Sequence, residues 1–148
     1  MTAPDGDLGA GGVRGIGVDA VDVGRFRRVI ERRPGIVDRL FTEDERAYAE
    51  RSRDRGPRLA ARFAAKEAVL KALGVGVGAA GFRDVEVVRA ENGRPGLVLS
   101  GRAAQLSEGR GVRRWHVSLT HTDTVAVATV VAEGTGAAWG VRDGGPTP

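Results

Sequence analysis

The segment that most constrains this chain covers residues 57–78 and reads PRLAARFAAKEAVLKALGVGVG. Between Leu59 and Leu73 it has no Gly or Pro, one β-branched residue, six alanines and three leucines, so backbone propensity alone predicts a helix. At about 100° per residue, Leu59, Phe63, Leu70 and Leu73 form one apolar stripe, and Ala61, Ala65, Ala68 and Ala72 cover the opposite side. A helix apolar nearly all round is a buried one, and other elements must pack around it. Yet it carries Arg62, Lys66, Glu67 and Lys71. Charges on a buried helix are paired, or hold a metal or an anionic ligand. Glu67 and Lys71 also fit an ordinary i,i+4 pair, contributing about 0.3 kcal/mol on a solvated face. Of 23 basic residues only Lys66 and Lys71 are lysines, which leaves 21 arginines. A chain that writes Arg everywhere else has a use for a compact ammonium at these two positions.

The length of 148 residues fits one domain, able to bury about 70% of the surface its unfolded chain exposes. A net charge of +4 suits anionic partners, whether nucleic acid, a phosphorylated cofactor or an acidic protein. The absence of cysteine excludes disulfides, thiolate metal sites and Cys nucleophiles, and two histidines argue against a zinc site. Chemistry must rest on Asp, Glu, Lys, Arg, Ser and His. The first residues show neither a basic n-region nor an apolar h-region, and the longest apolar-rich run, 125–132, is too short to span a bilayer. A cytoplasmic protein without a membrane partner is expected.

Gly- and Pro-rich compositions at 1–12 and 134–148 read as disordered tails around a folded domain at 13–133. The glycine run at 9–15 precedes a strand rather than following one, which excludes a dinucleotide loop. Residues 13–19 predict a strand with Arg14, Ile16 and Val18 on one face and Gly15 and Gly17 on the other, where a backbone or ligand can approach closely. A helix capped by Asp22 follows, with Phe26, Val29 and Ile30 inward and Arg25, Arg28 and Arg32 outward, until Pro34 stops it. A solvated charged face would explain those arginines. Thr42 and Glu45 have capping-box spacing and open a helix to about Arg53. After the central helix, Gly74 fits a C′ cap; Gly74, Gly76 and Gly78 let backbone N–H groups meet a phosphate, although a flexible connector would look the same.

Strands at 84–90 and 96–100 flank an Asn92-Gly93 hairpin turn, and a short helix is expected at 102–108. Strands at 115–120 and 125–131 follow, joined by HTDT, with Trp115, Val117 and Leu119 alternating against His116, Ser118 and Thr120. Ser118, His121 and Asp123 lie too close along one strand end and its turn to align as a catalytic triad.

Three segments in order, GIGVD at 15–19, RFAAKEAVLKALG at 62–74 and HVSLTHT at 116–122, closely resemble the holo-acyl-carrier-protein synthase family of 4′-phosphopantetheinyl transferases. FTxxE at Phe41 and FxDVEV at Phe82 fall in the family order too, so the likeness covers about residues 13–133. It implies an α+β fold with helices packed on an antiparallel sheet, assembled as a homotrimer with active sites between neighbours. The implied reaction transfers 4′-phosphopantetheine from coenzyme A to a serine of an apo acyl carrier protein and releases adenosine 3′,5′-bisphosphate, in fatty-acid or polyketide synthesis.

By the same resemblance Asp19 and Glu67 hold Mg²⁺, an ion that usually takes one or two protein carboxylates and leaves places for substrate oxygens and water. Glu67, or a metal-bound water that it orients, is the candidate general base. Lys71 faces the phosphates, with Arg62, Lys66, Ser118, His121 and the glycines 74, 76 and 78 as further cofactor contacts. Arg25, Arg28, Arg32 and Arg39 would meet the acidic carrier. The family pattern is departed from at Val18, where Ile or Leu is commoner, and at GVGVG, where GTGIG is commoner. Two other readings remain open on the residues alone: a non-catalytic basic module for nucleic acid or coenzyme A, which the paucity of aromatics disfavours, and a Mg²⁺-dependent phosphohydrolase.

Overall fold

The computed structural model describes residues 11–135. Of the expected tails at 1–12 and 134–148, residues 1–10 and 136–148 lie outside the described residues. The ordered elements reach one residue beyond the expected domain at either end, from Gly12 to Gly134. β1 (Gly12–Asp22) leads into α1 (Val23–Arg32), α2 (Gly35–Leu40), α3 (Glu43–Glu50) and α4 (Gly56–Ala72). A 3-10 turn at Phe82–Asp84 opens the hairpin of β2 (Val85–Arg89) and β3 (Pro95–Leu99), followed by α5 (Gly101–Gly109), β4 (Val112–His121) and β5 (Val125–Gly134). β1, β5 and β4 form an antiparallel sheet in that order, and β2 and β3 form a separate antiparallel ribbon. The class is α+β, with helices on one face of an antiparallel sheet. No helix among the described residues is long and apolar enough to cross a membrane.

α4 is the hub, with Leu59, Ala64, Ala65, Ala68, Val69 and Leu73 fully buried. Its small-residue side lies on the glycines of β1. A Cβ on Gly17 would sit 1.8 Å from the carbonyl oxygen of Ala68, and one on Gly15 would sit 2.0 Å from that of Ala72. The close approach anticipated for these glycines is therefore made by a helix backbone. Facing residues of β5, Ala126, Ala128 and Ala132, are equally small and buried. The helix ends in a Schellman arrangement: Gly74 at φ 69° donates to Lys71 O at 2.9 Å, and Val75 donates to Leu70 O at 3.0 Å.

Asp22 caps α1 by accepting from Arg25 N at 2.7 Å, and Thr42 and Glu45 form the complete capping box of α3. The helices differ from expectation in three places. Val29 is 40% exposed rather than inward, because Val23, Phe26 and Ile30 are the α1 residues that face the core. α3 stops at Glu50, short of Arg53. Pro34 not only ends α1 but stands as N-cap of α2, a six-residue helix whose Val37 and Leu40 are buried.

Candidate active site

Gly17 lets α4 settle onto β1, and the next inward position along the strand is Asp19, which is buried. The Lys71 ammonium reaches back from the last turn of α4 to Val18 O at 3.0 Å and Asp19 Oδ1 at 3.1 Å. The other Asp19 oxygen, Oδ2, is buried with no hydrogen-bond partner. Beside it, the Glu67 carboxyl is pushed up to about 7, first by burial and then by the Asp19 carboxylate, with Lys71 pulling the other way. Two carboxylates from different elements are thus held together with only one ammonium between them. That leaves a deficit of positive charge and an unused buried oxygen.

A divalent cation fits this deficit. Hard oxygen donors from two carboxylates suit Mg²⁺, and a bound ion would answer both the orphaned Asp19 oxygen and the raised Glu67. Among the described residues no cluster of three or more His, Cys, Asp or Glu could hold a metal, so the rest of the shell would come from substrate and water.

Glu67 also forms part of the wall of a groove of about 720 Å³, whose other residues include Arg25, Phe26, Phe63, Val77 and Phe82. Val77 belongs to the glycine connector, in which Gly78 has φ 98° and Gly76 faces open space. Arg25 stands at this groove, and Arg28, Arg32 and Arg39 are exposed.

The remaining predicted contacts lie elsewhere. Arg62 and His121 line a different cavity, of about 400 Å³, with Tyr48, Arg58 and Arg89. Arg62 and Glu67 are five residues apart, about 140° round the helix, so the two sites occupy opposite flanks of α4. Burial pushes the Arg62 guanidinium below its ordinary value. Ser118 is exposed on the outer face of the sheet, in the row Val18, Thr129, Ser118, and turns away from both cavities.

Lys66 requires correction as a cofactor contact. It is wholly buried, and its three N–H donors go to Glu45 Oε1 at 2.7 Å, Phe82 O at 2.9 Å and Val85 O. None is left for a ligand. Glu45 in turn accepts from Thr42 N and Val87 N, so the pair pins α3, α4 and β2 together.

A family model of the 4′-phosphopantetheinyl transferase superfamily matches residues 15–130. The holo-[acyl-carrier-protein] synthase of Clavibacter michiganensis subsp. michiganensis is 52% identical over 122 residues, covering 82% of this chain and 97% of its own length. This chain belongs to the holo-acyl-carrier-protein synthases. Solved family structures agree. The synthase of Neisseria meningitidis superposes with a TM-score of 0.75 at 30% identity over 82% of this chain and 98% of that one. The synthase of Bacillus anthracis, solved in complex with CoA (3′,5′-ADP), gives 0.69 at 32% identity over 83% of this chain and 98% of that one.

Sequence reasoning missed Tyr48, Arg58 and Arg89 as members of the second cavity. They come from α3, α4 and β2, so no local spacing links them. The one available signal was that Tyr48 is the only tyrosine in the chain.

Proposed function

We propose that this family member transfers 4′-phosphopantetheine from coenzyme A to a serine of an apo acyl carrier protein in a Mg²⁺-dependent reaction. The observation that carries the reading is the convergence of Asp19, Glu67 and Lys71, with Glu67 also in the wall of a largely apolar groove. Asp19 and Glu67 would hold the ion, which when bound neutralises charge on the diphosphate. Glu67, or a water that it orients, takes the proton of the serine hydroxyl. The serine Oγ forms its bond to the β-phosphorus, the bond from that phosphorus to the bridging oxygen breaks, and adenosine 3′,5′-bisphosphate leaves with the electron pair. Lys71, with two of its donors on Asp19 and Val18, stands half in solvent, where its charge favours the departing phosphate. Arg25, Arg28, Arg32 and Arg39 present the positive rim that an acidic carrier would meet.

The active unit is a trimer in this reading. Ile16 and Val18 are 62% and 50% exposed on the outer sheet face, which no helix among the described residues covers. A cofactor contacting both flanks of α4 would need its second flank from a neighbouring copy. Sedimentation of a fully active monomer would refute the assembly.

The reaction is tested by weighing an apo carrier after incubation with the protein, coenzyme A and Mg²⁺. A gain of one phosphopantetheine is expected. Consumption of coenzyme A with an unchanged carrier would identify a phosphohydrolase instead, and binding without turnover would identify a coenzyme A-binding module.

A further inference from the structure

Among the described residues, four of the seven exposed large hydrophobics, Val13, Ile16, Val18 and Val125, lie on the outer face of the β1–β5–β4 sheet. An apolar patch of this kind marks a surface that another molecule covers. Within it stands one polar contact between strands: His116 Nε2 of β4 and Glu133 Oε2 of β5 are 2.7 Å apart. His116 pairs in register with Val131, and Val131 with Ile16, so the three form one row across the sheet. Neighbouring strands lie about 4.8 Å apart, so a body that covers Ile16 also reaches His116, about 10 Å away. The His116 and Glu133 side chains are 48% and 39% exposed in the single chain, and a second copy seated on this face would take that exposure away.

The charged groups around the pair come from β4 and β1. Arg114 shares the outer face and stands opposite Glu133 in register, without an ion pair to it. Arg113 occupies the bulge between Val112 and Arg114 and is exposed. Arg14, in the bulge of β1, is turned to Arg110 O at 3.0 and 2.9 Å. The hydrogen bond with His116, and after it the charge of Arg114, hold the Glu133 carboxyl below its ordinary value, so it is ionised at neutral pH. Histidine is the side chain whose ordinary range puts its change of charge between pH 5 and 8. In water either state of the imidazole is tolerated beside this carboxylate. Under a second copy a neutral imidazole would leave Glu133 buried and in contact with no cation, whereas an imidazolium compensates it at hydrogen-bond distance. We propose that His116 is a proton-dependent lock on assembly: copies of this chain associate through the outer face more tightly when the His116–Glu133 pair carries its proton, and loosen as the pH rises through neutrality. This rests on the trimeric reading above and adds to it the group that regulates assembly. Association strengthens the imidazole's hold on its proton, so the contribution is present in mild acid and is lost with rising pH.

The test is sedimentation equilibrium of the full chain at several concentrations between about pH 5.5 and 8.5, for wild type, His116→Gln and Glu133→Gln. Circular dichroism checks that each variant is folded, as the partial exposure of both side chains leads one to expect. One unit of added proton affinity per copy is about tenfold in association per copy, so the wild-type concentration at half-assembly should rise on the order of tenfold from about pH 6 to 8. His116→Gln should flatten that slope, and Glu133→Gln should remove or reverse it, because the imidazolium then has no carboxylate. Glu67, which titrates in the same range, is present in all three proteins, so the difference between slopes reads the pair alone. Variants that keep the wild-type slope, or a wild type whose assembly is independent of pH, would overturn the lock. A wild type that stays monomeric at every pH would overturn the assembly reading and the lock with it, while loading of the carrier by that monomer would leave the transferase reading standing.

Discussion

The two flanks of α4 carry nearly the same chemistry and treat it in opposite ways. On one flank Lys66 meets Glu45, and every donor and acceptor in the cluster is used within the fold. On the other, Lys71 meets Asp19, a second carboxylate crowds in from Glu67, and one buried oxygen has no partner. The first arrangement leaves nothing over for a ligand. The second leaves charge and hydrogen-bonding capacity that a cation or ligand can take up, which is why function is read there. The pair of lysines in an arginine-rich chain therefore has two causes. Lys66 needs three donors diverging from one atom, and Lys71 needs a point charge on a flexible stem.

The largest expected effect comes from breaking the satisfied flank. Lys66→Met leaves Glu45 buried and uncompensated, and should cost about 3–5 kcal/mol in chemical denaturation. The double variant Glu45→Gln/Lys66→Met should regain part of that loss, because the orphaned charge is gone while the amide oxygen can still accept from Val87 N. Full stability in Lys66→Met would mean that the cluster is not the anchor described here.

On the unsatisfied flank, Asp19→Ala and Glu67→Ala should reverse the pattern. Transfer should fall by at least 10²- to 10³-fold, the order lost when charge stabilisation at a reacting centre is removed, while the folded state survives. Wild-type-like turnover by either variant in saturating Mg²⁺ would remove the proposed mechanism.

The contrast also bears on what could be read from the chain alone. The α+β architecture, the capping box at Thr42 and the joining of Asp19 to Glu67 were legible, because propensity, turn chemistry and a family motif all pointed one way. Local signals failed where tertiary contacts decide. α2 has no side-chain cap and only six residues, so Pro34 read simply as a stop. Lys66 and Glu67 are adjacent in sequence, and nothing local says that one side chain turns into the core and the other toward a cleft. Ser118 and His121 were both read as cofactor contacts, and only the extension of β4 to His121 puts the two on opposite faces of the strand.

A smaller effect follows from the raised Glu67. Its folded value of about 7 lies above the ordinary 4.5, so the protonated carboxyl is the form the metal-free fold prefers. The associated stability is fully present below the unfolded value and is lost as pH rises through the folded one. Without divalent ions, the thermal midpoint of wild type should therefore fall more steeply between pH 5 and 8 than that of Glu67→Gln, as measured by scanning calorimetry over about three pH units. Adding Mg²⁺ should flatten the wild-type slope and leave the variant's unchanged. Parallel slopes with and without Mg²⁺ would show that the flank is not electrostatically frustrated.

The smallest effect belongs to the charges outside both flanks. Arg25 stands at the groove that also contains Glu67, and Arg32 lies two turns further along the exposed face of α1. Neither is buried, so each acts through long-range attraction, which salt screens over about 8 Å at physiological ionic strength. Rim charges of this kind chiefly set how fast an oppositely charged partner arrives. Charge reversal at Arg25 or Arg32 should lower kcat/KM for an acidic carrier by roughly threefold to tenfold and flatten its dependence on salt. Coenzyme A affinity should change less than the carrier's kinetics, because Arg25 and Arg32 are exposed and neither belongs to the Asp19–Glu67–Lys71 cluster. If both reversals leave the carrier's kinetics and salt dependence unaltered, the basic face of α1 is an ordinary solvated surface and the carrier docks elsewhere.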